Sequence, residues 1–286
     1  MTTVHALIRD TANILNRAGI DESRLEAELL WMTVLQTDRT SLYANLDYIA
    51  DDKAAKYAHE LISRRLKREP LAYLRKARDF FGLRFYVASG VLIPRPETEI
   101  LVETALSVLE TRSLNGLTSS VVDIGTGSGA IAISLAVNFG KAVIFATDIS
   151  SQALDIARFN AMAHYVSERI EFLRGDLVDP IYQPVDLLIA NLPYVKSRNI
   201  QNLQPEIRLY EPQEALDGGE NGLFLIERLL LRAPDIVNQQ GSILLEMDPD
   251  QVDLVRTIAL KVFPNAEIEI LRDLAGLDRV MFIKQI

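Results

Sequence analysis

The chain has 286 residues, of which 49% are hydrophobic, and these values indicate a folded protein large enough for two domains. It contains no cysteine, which excludes disulfides, cysteine-ligated zinc, iron–sulfur clusters and a thiol nucleophile. The net charge of −9 lies mostly after residue 90, which argues against general nucleic-acid binding by the main body of the protein.

Neither membrane insertion nor secretion is expected. No apolar run approaches the roughly 20 residues that span a bilayer. Residues 1–5 lack the basic flank and apolar core of a signal peptide. We therefore expect a cytoplasmic protein without membrane contact.

Residues 1–75 are predicted to form a small bundle of helices, because their apolar side chains recur at helical spacing. The expected boundaries are Gly19 as a helix end, Asp21 as the cap of a second helix, Asp51 or Asp52 as the cap of a further helix, and Pro70 as its end. No catalytic pattern occurs in this domain.

A basic cluster lies at the end of this region and beyond it. Its members are Arg64, Arg65, Lys67, Arg68, Arg75, Lys76, Arg78 and Arg84. Two interpretations are open: a solvated helix face with its linker, or a docking patch for an acidic or RNA-containing partner.

Residues 76–95 are predicted to form a β-hairpin that links two domains, since aromatic residues surround Gly82. Residues 93–99 then read Ile-Pro-Arg-Pro-Glu-Thr-Glu. Pro96 fits the first turn of a helix, and the two glutamates fit the positive end of its dipole. Helix capping and the helix dipole do not explain Arg95, which lies between two prolines. This indicates that the flanking prolines hold the Arg95 side chain at a specific position.

From residue 120 the chain alternates strand and helix, which predicts a mostly parallel sheet covered on both faces. Strands are predicted at 120–124, 142–147, 169–173, 185–190, 241–247, 266–272 and 278–284, and helices at 129–138, 151–164, 222–238 and 249–262. The connection between the last two strands is too short for a helical crossover, so these strands should pair antiparallel. This pattern resembles the class I, Rossmann-like methyltransferases.

Three motifs follow three successive strands. The first is the glycine loop, residues 125–129 (Gly-Thr-Gly-Ser-Gly), whose glycines permit close approach of a ligand to the backbone. Its spacing also satisfies the dinucleotide-binding pattern, so the glycines alone do not identify the ligand. Asp148 is placed to accept hydrogen bonds from ribose hydroxyls, and Asp148, Ser150 or Ser151 can cap the next helix. Asp176 and Leu177 fit an adenine, or a simple turn.

The fourth strand ends in the acceptor loop, residues 191–194 (Asn-Leu-Pro-Tyr). The Asn191 side-chain oxygen and the Leu192 carbonyl can accept both N–H groups of a planar amide or aromatic amine. Pro193 can fix the geometry and Tyr194 can stack on the acceptor. A plain turn is the alternative. No metal is expected, because His5, His59 and His164 lack metal-ligand spacing.

Taken together, these motifs resemble one family, the protein glutamine methyltransferases that act on peptide chain release factors (HemK/PrmC type). The resemblance rests on the ordered segments 68–73, 80–85, 91–99, 210–212, 215–219, 222–223 and 273–279, together with the glycine and acceptor loops. It extends over nearly the whole chain.

The resemblance implies methylation of the glutamine side-chain amide in the Gly-Gly-Gln loop of release factors, with S-adenosyl-L-methionine as cofactor. The implied cofactor-binding residues are Gly125, Thr126, Gly127, Ser128, Gly129, Asp148, Asp176, Leu177 and Asn191. The implied catalytic residues are Asn191, Pro193 and Tyr194, and those implied to bind substrate are Asn191, Leu192, Pro193, Tyr194 and Arg95. Implied domains are a release-factor-recognising bundle (1–75), a hairpin linker (76–95) and a methyltransferase domain (96–286), in a monomer.

The chain departs from the family pattern at three places. Leu192 replaces the first proline of the usual Asn-Pro-Pro-Tyr, Lys76 replaces a linker glycine, and residues 246–249 replace a glycine-containing strand end. Asn-Leu-Pro-Tyr also resembles the loop of RNA adenine dimethylases. Two alternatives to the favoured function therefore stay open: a nucleic-acid adenine methyltransferase, and a cofactor-binding module without catalysis.

Overall fold

A computed structural model describes residues 2–284. Its α-helices are α1 (Val4–Arg17), α2 (Ser23–Leu35), α3 (Arg39–Ala44), α4 (Asp52–Leu66), α5 (Leu71–Arg75), α6 (Glu99–Leu114), α7 (Ala130–Asn138), α8 (Ser151–Ala163), α9 (Pro205–Tyr210), α10 (Phe224–Arg232) and α11 (Val252–Val262). Its strands are β1 (Arg78–Phe80), β2 (Leu83–Phe85), β3 (Ser119–Ile124), β4 (Ala142–Asp148), β5 (Ile170–Arg174), β6 (Val185–Ala190), β7 (Val237–Glu246), β8 (Glu267–Arg272) and β9 (Asp278–Lys284).

The chain divides into two compact units. The first comprises the described residues up to Ala77 together with Gln204–Tyr210, and the second comprises Arg78–Leu203 and Glu211–Ile286, described to residue 284. Within residues 2–284, no helix combines the length and the apolar character that crossing a membrane requires.

The first unit is helical, as predicted, and its core is built from one apolar stripe on each of its longer helices. That core includes Leu15, Leu30, Trp31 and Leu61, all at most 2% exposed. Asp51 caps α4, as predicted, by accepting a hydrogen bond from the Ala54 N–H. The prediction that Asp21 caps the second helix was wrong: α2 begins after Glu22, with no side-chain cap.

Several members of the basic cluster pair with carboxylates of their own unit. Arg64 binds Glu69 through two nitrogens, at 2.6 and 2.8 Å. Arg65 is 4% exposed and lies 2.6 Å from Glu26 and 2.9 Å from Glu206 of α9. Arg65 therefore connects separate helices of this unit, and the solvated-face interpretation does not describe it.

The second unit contains a seven-stranded sheet in the order β5-β4-β3-β6-β7-β9-β8. Strands β3 to β7 are parallel, and β9 pairs antiparallel with both β7 and β8. This confirms the predicted sheet with its antiparallel last strand. The hairpin β1–β2 is also formed, with Phe81 and Gly82 at positive φ in its turn, as a two-residue hairpin requires.

Both faces of the sheet are covered, because successive strand residues point to opposite sides. Val121 packs in one hydrophobic core with α6 and α7, whereas Val122 and Ile124 pack in the other with α10 and α11. The buried Phe80 and Phe85 of the hairpin belong to the first of these cores.

The largest boundary error in this unit concerns the helix predicted at 222–238. The helix predicted at 222–238 ends at Arg232, a 3₁₀ turn covers Ala233–Asp235, and β7 begins at Val237. Pro234 explains the difference, because a proline inside a helix removes a hydrogen bond and clashes with the preceding turn.

Candidate active site

The motifs predicted from the sequence all lie at the carboxyl ends of adjacent parallel strands. In the sheet register Ile124 of β3 is opposite both Thr147 of β4 and Ala190 of β6, so the residues that follow these strands lie side by side. The chain leaves β3 for β4 on one side and later returns with β6 on the other. This is the switch point at which open α/β sheets bind ligands.

The glycine loop is anchored from below by a buried acid. Asp123 is fully buried, and its carboxylate accepts hydrogen bonds from the Thr126 hydroxyl at 2.6 Å and from the Ala132 N–H at 3.2 Å. Burial raises the pKa of Asp123 to about 7, against the lowering effect of those two hydrogen bonds. Thr126, a residue that is 7% exposed, thus supports the loop.

The glycines of this loop have different surroundings. A Cβ added at Gly127 would meet nothing closer than the Gly125 carbonyl at 4.0 Å, so that position opens on the cavity. A Cβ at Gly129 would lie 2.7 Å from Ile133 and 3.1 Å from Ala157. The lack of a side chain at Gly129 therefore permits α7 and α8 to approach each other. Both have a positive φ.

Asp148 connects the glycine loop to the end of β4. Its two carboxylate oxygens accept hydrogen bonds from the Gly127 and Ser150 N–H groups, each at 2.9 Å. Burial raises the pKa of Asp148, while backbone hydrogen bonds lower it. The residue that caps α8 is Ser150, whose hydroxyl accepts a hydrogen bond from the Ala153 N–H. Asp148 is therefore available to a ligand through its remaining lone pairs.

The third motif lies beyond β5. Leu177 has a left-handed backbone, with φ +50°, and its carbonyl accepts a hydrogen bond from the Thr147 hydroxyl at 3.0 Å. Asp176 forms an ion pair with Arg228 of α10 at 2.6 Å. Sequence reasoning missed Arg228, because nothing in the pattern of α10 distinguishes it from a surface arginine.

In the acceptor loop, the Asn191 side chain is held on one side. Its Nδ2 donates to the Thr98 hydroxyl at 3.1 Å, which leaves its Oδ1 as the group that can accept from a ligand. Leu192 is 4% exposed, and its Cδ2 would lie 3.3 Å from a Cβ at Gly125. Leu192 thus packs against the glycine loop.

Two residues support the same loop, one at the end of β7 and one in the 3₁₀ turn Pro249–Gln251 that follows it. The Tyr194 hydroxyl donates to the buried Glu246 carboxylate at 3.2 Å, and burial together with that carboxylate raises the pKa of Tyr194. The Gln251 side chain donates to the backbone carbonyls of Tyr194 and Gly222, at 2.9 and 3.2 Å. Gln251 is itself fixed, since its oxygen accepts from the Asp248 N–H.

Arg95, the residue without a structural explanation in the sequence, pairs with a buried acid. Its guanidinium lies 2.6 Å from Glu211, whose side chain is 1% exposed. The same carboxylate accepts from the Ile93 N–H at 3.0 Å. Glu211 therefore fixes the segment that carries Arg95, and the sequence showed it only as part of Tyr-Glu-Pro.

A cavity of ≈ 290 Å³ opens between these motifs. Six of the predicted cofactor residues line it, namely Gly125, Gly127, Asp148, Asp176, Leu177 and Asn191, as do Leu192 and Pro193 of the acceptor loop. The lining does not include Thr126, Ser128, Gly129, Tyr194 or Arg95. Among residues 2–284 no cluster of three or more His, Cys, Asp or Glu side chains could hold a metal ion.

Both the helical N-terminal region and the sheet-containing region of the chain are similar to known protein families. Residues 6–75 match the family model of the PrmC N-terminal domain, and residues 102–210 match that of ribosomal protein L11 methyltransferase (PrmA). A release factor glutamine methyltransferase from Rhodopirellula baltica is 33% identical over 99% of this chain and 96% of its own. One from Thermodesulfovibrio yellowstonii is 40% identical over 91% of this chain and 92% of its own.

Solved structures agree on the fold. The catalytic domain of hMettl16, solved in complex with MAT2A 3′UTR hairpin 6, matches 82% of this chain and 83% of its own, with a TM-score of 0.56 and 14% identity. That likeness concerns the fold alone. The relatives matched over nearly their full length decide the assignment, and the chain belongs to the release factor glutamine methyltransferase family.

Proposed function

We propose that the chain methylates the side-chain amide of the glutamine in the Gly-Gly-Gln loop of a peptide chain release factor, with S-adenosyl-L-methionine as cofactor. The observation that carries the proposal is the Asn191 amide. Its nitrogen donates to the Thr98 hydroxyl, which leaves its oxygen to accept from a ligand, and Asn191 lines the same cavity as the glycine loop.

The cavity fits the cofactor. Gly127 leaves a space that any side chain would fill, and the Asp148 carboxylate lies where it can accept from ribose hydroxyls. Glu214 also lines the cavity, and the negative charge of its carboxylate favours a cationic ligand such as a sulfonium. The chemistry that S-adenosyl-L-methionine supplies when bound is an electrophilic methyl group.

The acceptor loop fits a glutamine amide, whose nitrogen is a weak nucleophile because its lone pair is delocalised. Accepting hydrogen bonds at Asn191 Oδ1 and at the Leu192 carbonyl would orient the two N–H bonds and stabilise the positive charge that develops on that nitrogen. Tyr194 offers a flat ring held by Glu246, and Pro193 limits the motion of the loop. No general base is needed before transfer.

We propose further that the helical residues 1–75 recognise the release factor and that residues 96–286 perform catalysis, with 76–95 linking them. We also propose that the enzyme acts as a cytoplasmic monomer and without nucleic acid. The match of residues 6–75 to a dedicated N-terminal family model supports a separate task for this region.

The test of the function is transfer of a labelled methyl group from S-adenosyl-L-methionine to a purified release factor. We expect the factor to be labelled, and a factor whose glutamine is replaced by alanine to stay unlabelled. Label in RNA or DNA, with none in the factor, would instead indicate adenine methylation. Cofactor binding without any transfer would indicate a binding module.

The glycine loop offers a prediction about cofactor binding. Gly127→Ala should weaken S-adenosyl-L-methionine binding at least about tenfold, because the new methyl group enters the cradle. Its free energy of unfolding should fall by about 1 kcal/mol, the cost of a left-handed alanine. Calorimetric titration and urea unfolding measure the two effects.

Gly129→Ala is the matched control, since it carries the same backbone cost but clashes with Ile133 and Ala157 instead of entering the cavity. We expect it to lose more stability than Gly127→Ala. If the two variants lose cofactor affinity equally, the loop does not bind the cofactor through Gly127.

A further inference from the structure

Arg228 of α10 lines the cavity but has no task in the proposed reaction. Its guanidinium donates to Asp176 Oδ2 at 2.6 Å, and its central carbon lies 5.5 Å from the centroid of the Phe224 ring. The Arg228 and Asp176 side chains are 42% and 39% exposed, and an ion pair with that much exposure contributes little to stability. The position of Arg228 at the cavity therefore points to the ligand.

The order of the strands indicates which part of the cofactor meets Asp176. Across the sheet, the strands β6, β3, β4 and β5 lead in turn to the acceptor loop, the glycine loop, Asp148 and Asp176. Under the proposed function the methyl group lies at the acceptor loop and the ribose lies at Asp148. The base is then expected beyond β4, where Asp176 and Leu177 line the cavity.

The backbone of Asp176 is held without the help of Arg228. The Asp179 N–H donates to the Asp176 carbonyl at 3.0 Å. Arg232, one turn after Arg228 in α10, forms an ion pair with Asp179 at 3.0 Å. Two arginines of one helix thus bind one loop, and of these only Arg228 contacts the carboxylate of Asp176.

The contact with Arg228 determines which atom of residue 176 is left for a ligand. A guanidinium carries only donors, so a side chain at this position must turn an acceptor towards it. For Asp176 that acceptor is Oδ2, and no residue in the described part of the chain donates to Oδ1. Oδ1 is therefore left to accept, which matches the amine at position 6 of adenine and opposes the carbonyl oxygen that hypoxanthine has there.

We propose that Arg228 is a positioning residue that sets the base specificity of the cofactor site: by holding Asp176 Oδ2 it presents Oδ1 to the base, so that the site binds adenine and rejects hypoxanthine. The inference rests on the proposed function, because it takes the ligand to be an adenosyl compound. In D176N, Arg228 would bind the amide oxygen and the NH₂ group would face the base. An amide at residue 176 should therefore reverse the preference.

Calorimetric titration of the full-length protein with S-adenosylhomocysteine and S-inosylhomocysteine measures this preference without turnover. We expect the parent protein to bind the adenosyl compound about 30-fold more tightly, which is the effect of one polar group left unpaired in the other complex. D176N should prefer the inosyl compound. In D176N/R228M no guanidinium orients the amide, and the two compounds should bind about equally.

D176N/R232M is the matched control. It removes the neighbouring arginine of the same helix, which binds the same loop but does not line the cavity. We expect it to keep the reversed preference of D176N. If Arg228 merely stabilised the loop, D176N/R228M would also keep that preference, with both compounds weakened equally.

An adenosyl preference that persists in D176N, or a reversed preference that is the same in D176N and D176N/R228M, would overturn the proposal. A parent protein that binds both compounds without distinguishing them would also overturn it, and would leave the proposed methyl transfer untouched. A parent protein that binds neither compound would instead contradict the proposed function itself.

Discussion

Asn191→Ala is expected to lower kcat by about 100- to 1,000-fold, the loss seen when one preorganised group at a reacting centre is removed. The Kd for S-adenosyl-L-methionine should change far less, because the Asn191 oxygen acts mainly on charge that develops in the transition state. This proposed role uses the orientation in which the Asn191 nitrogen donates to the Thr98 hydroxyl, which leaves the Asn191 oxygen to accept from a ligand.

Single-turnover methyl transfer and calorimetric titration of the cofactor separate the two effects. Asn138→Ala is the matched control, since Asn138 is an exposed asparagine at the end of α7, remote from the cavity, and its loss should leave both constants unchanged. Equal losses of kcat and cofactor affinity in Asn191→Ala would show that Asn191 is chiefly a cofactor ligand.

Glu211→Ala is expected to reduce the free energy of unfolding by about 2 kcal/mol, because it leaves the Ile93 N–H without an acceptor and the partly buried Arg95 without its carboxylate. Arg95 would lose its partner and the Ile93 N–H would lose its acceptor. The adjacent residues 91 and 92 line the cavity, so cofactor affinity should fall as well.

The urea midpoint of unfolding gives the stability effect. Glu220→Ala provides the comparison, because Glu220 is an exposed glutamate in the same connecting segment and should change stability by less than about 0.5 kcal/mol. Should both variants unfold at the same urea concentration, Glu211 would not anchor the segment that carries Arg95.

The sequence predicted the sheet well, because the parallel strands are buried on both faces and appear as short apolar runs. The predicted helix boundaries were wrong at two places, one at a proline inside an apolar pattern and one at a capping residue. The apolar spacing of 222–238 continues past Pro234, but the backbone of the proline ends the helix. Asp21 is a good capping residue in isolation, but α2 begins two residues later.

For the candidate site, the sequence located the residues that follow the strands but not those that support them. Thr98 is 93 positions from Asn191, and Glu211 is 116 from Arg95, so only tertiary folding brings them together. Glu246 was visible as a departure from the family pattern, and a charged residue ending an apolar strand was the available signal. Leu192 was identified only as a departure from the family pattern, and the structure shows that its side chain packs against Gly125.

The hydrogen bonds of the Gln251 amide affect when the proposed active site forms during folding. Its bond to the Tyr194 carbonyl spans 57 positions, and the partner bond to Gly222 spans 29. Contacts of that separation form only after long segments have closed, unlike the turns of the glycine loop. The backbone of the acceptor loop therefore gains this support only after the ribosome has synthesised the chain past residue 251. Methyl transfer becomes a property of the finished fold.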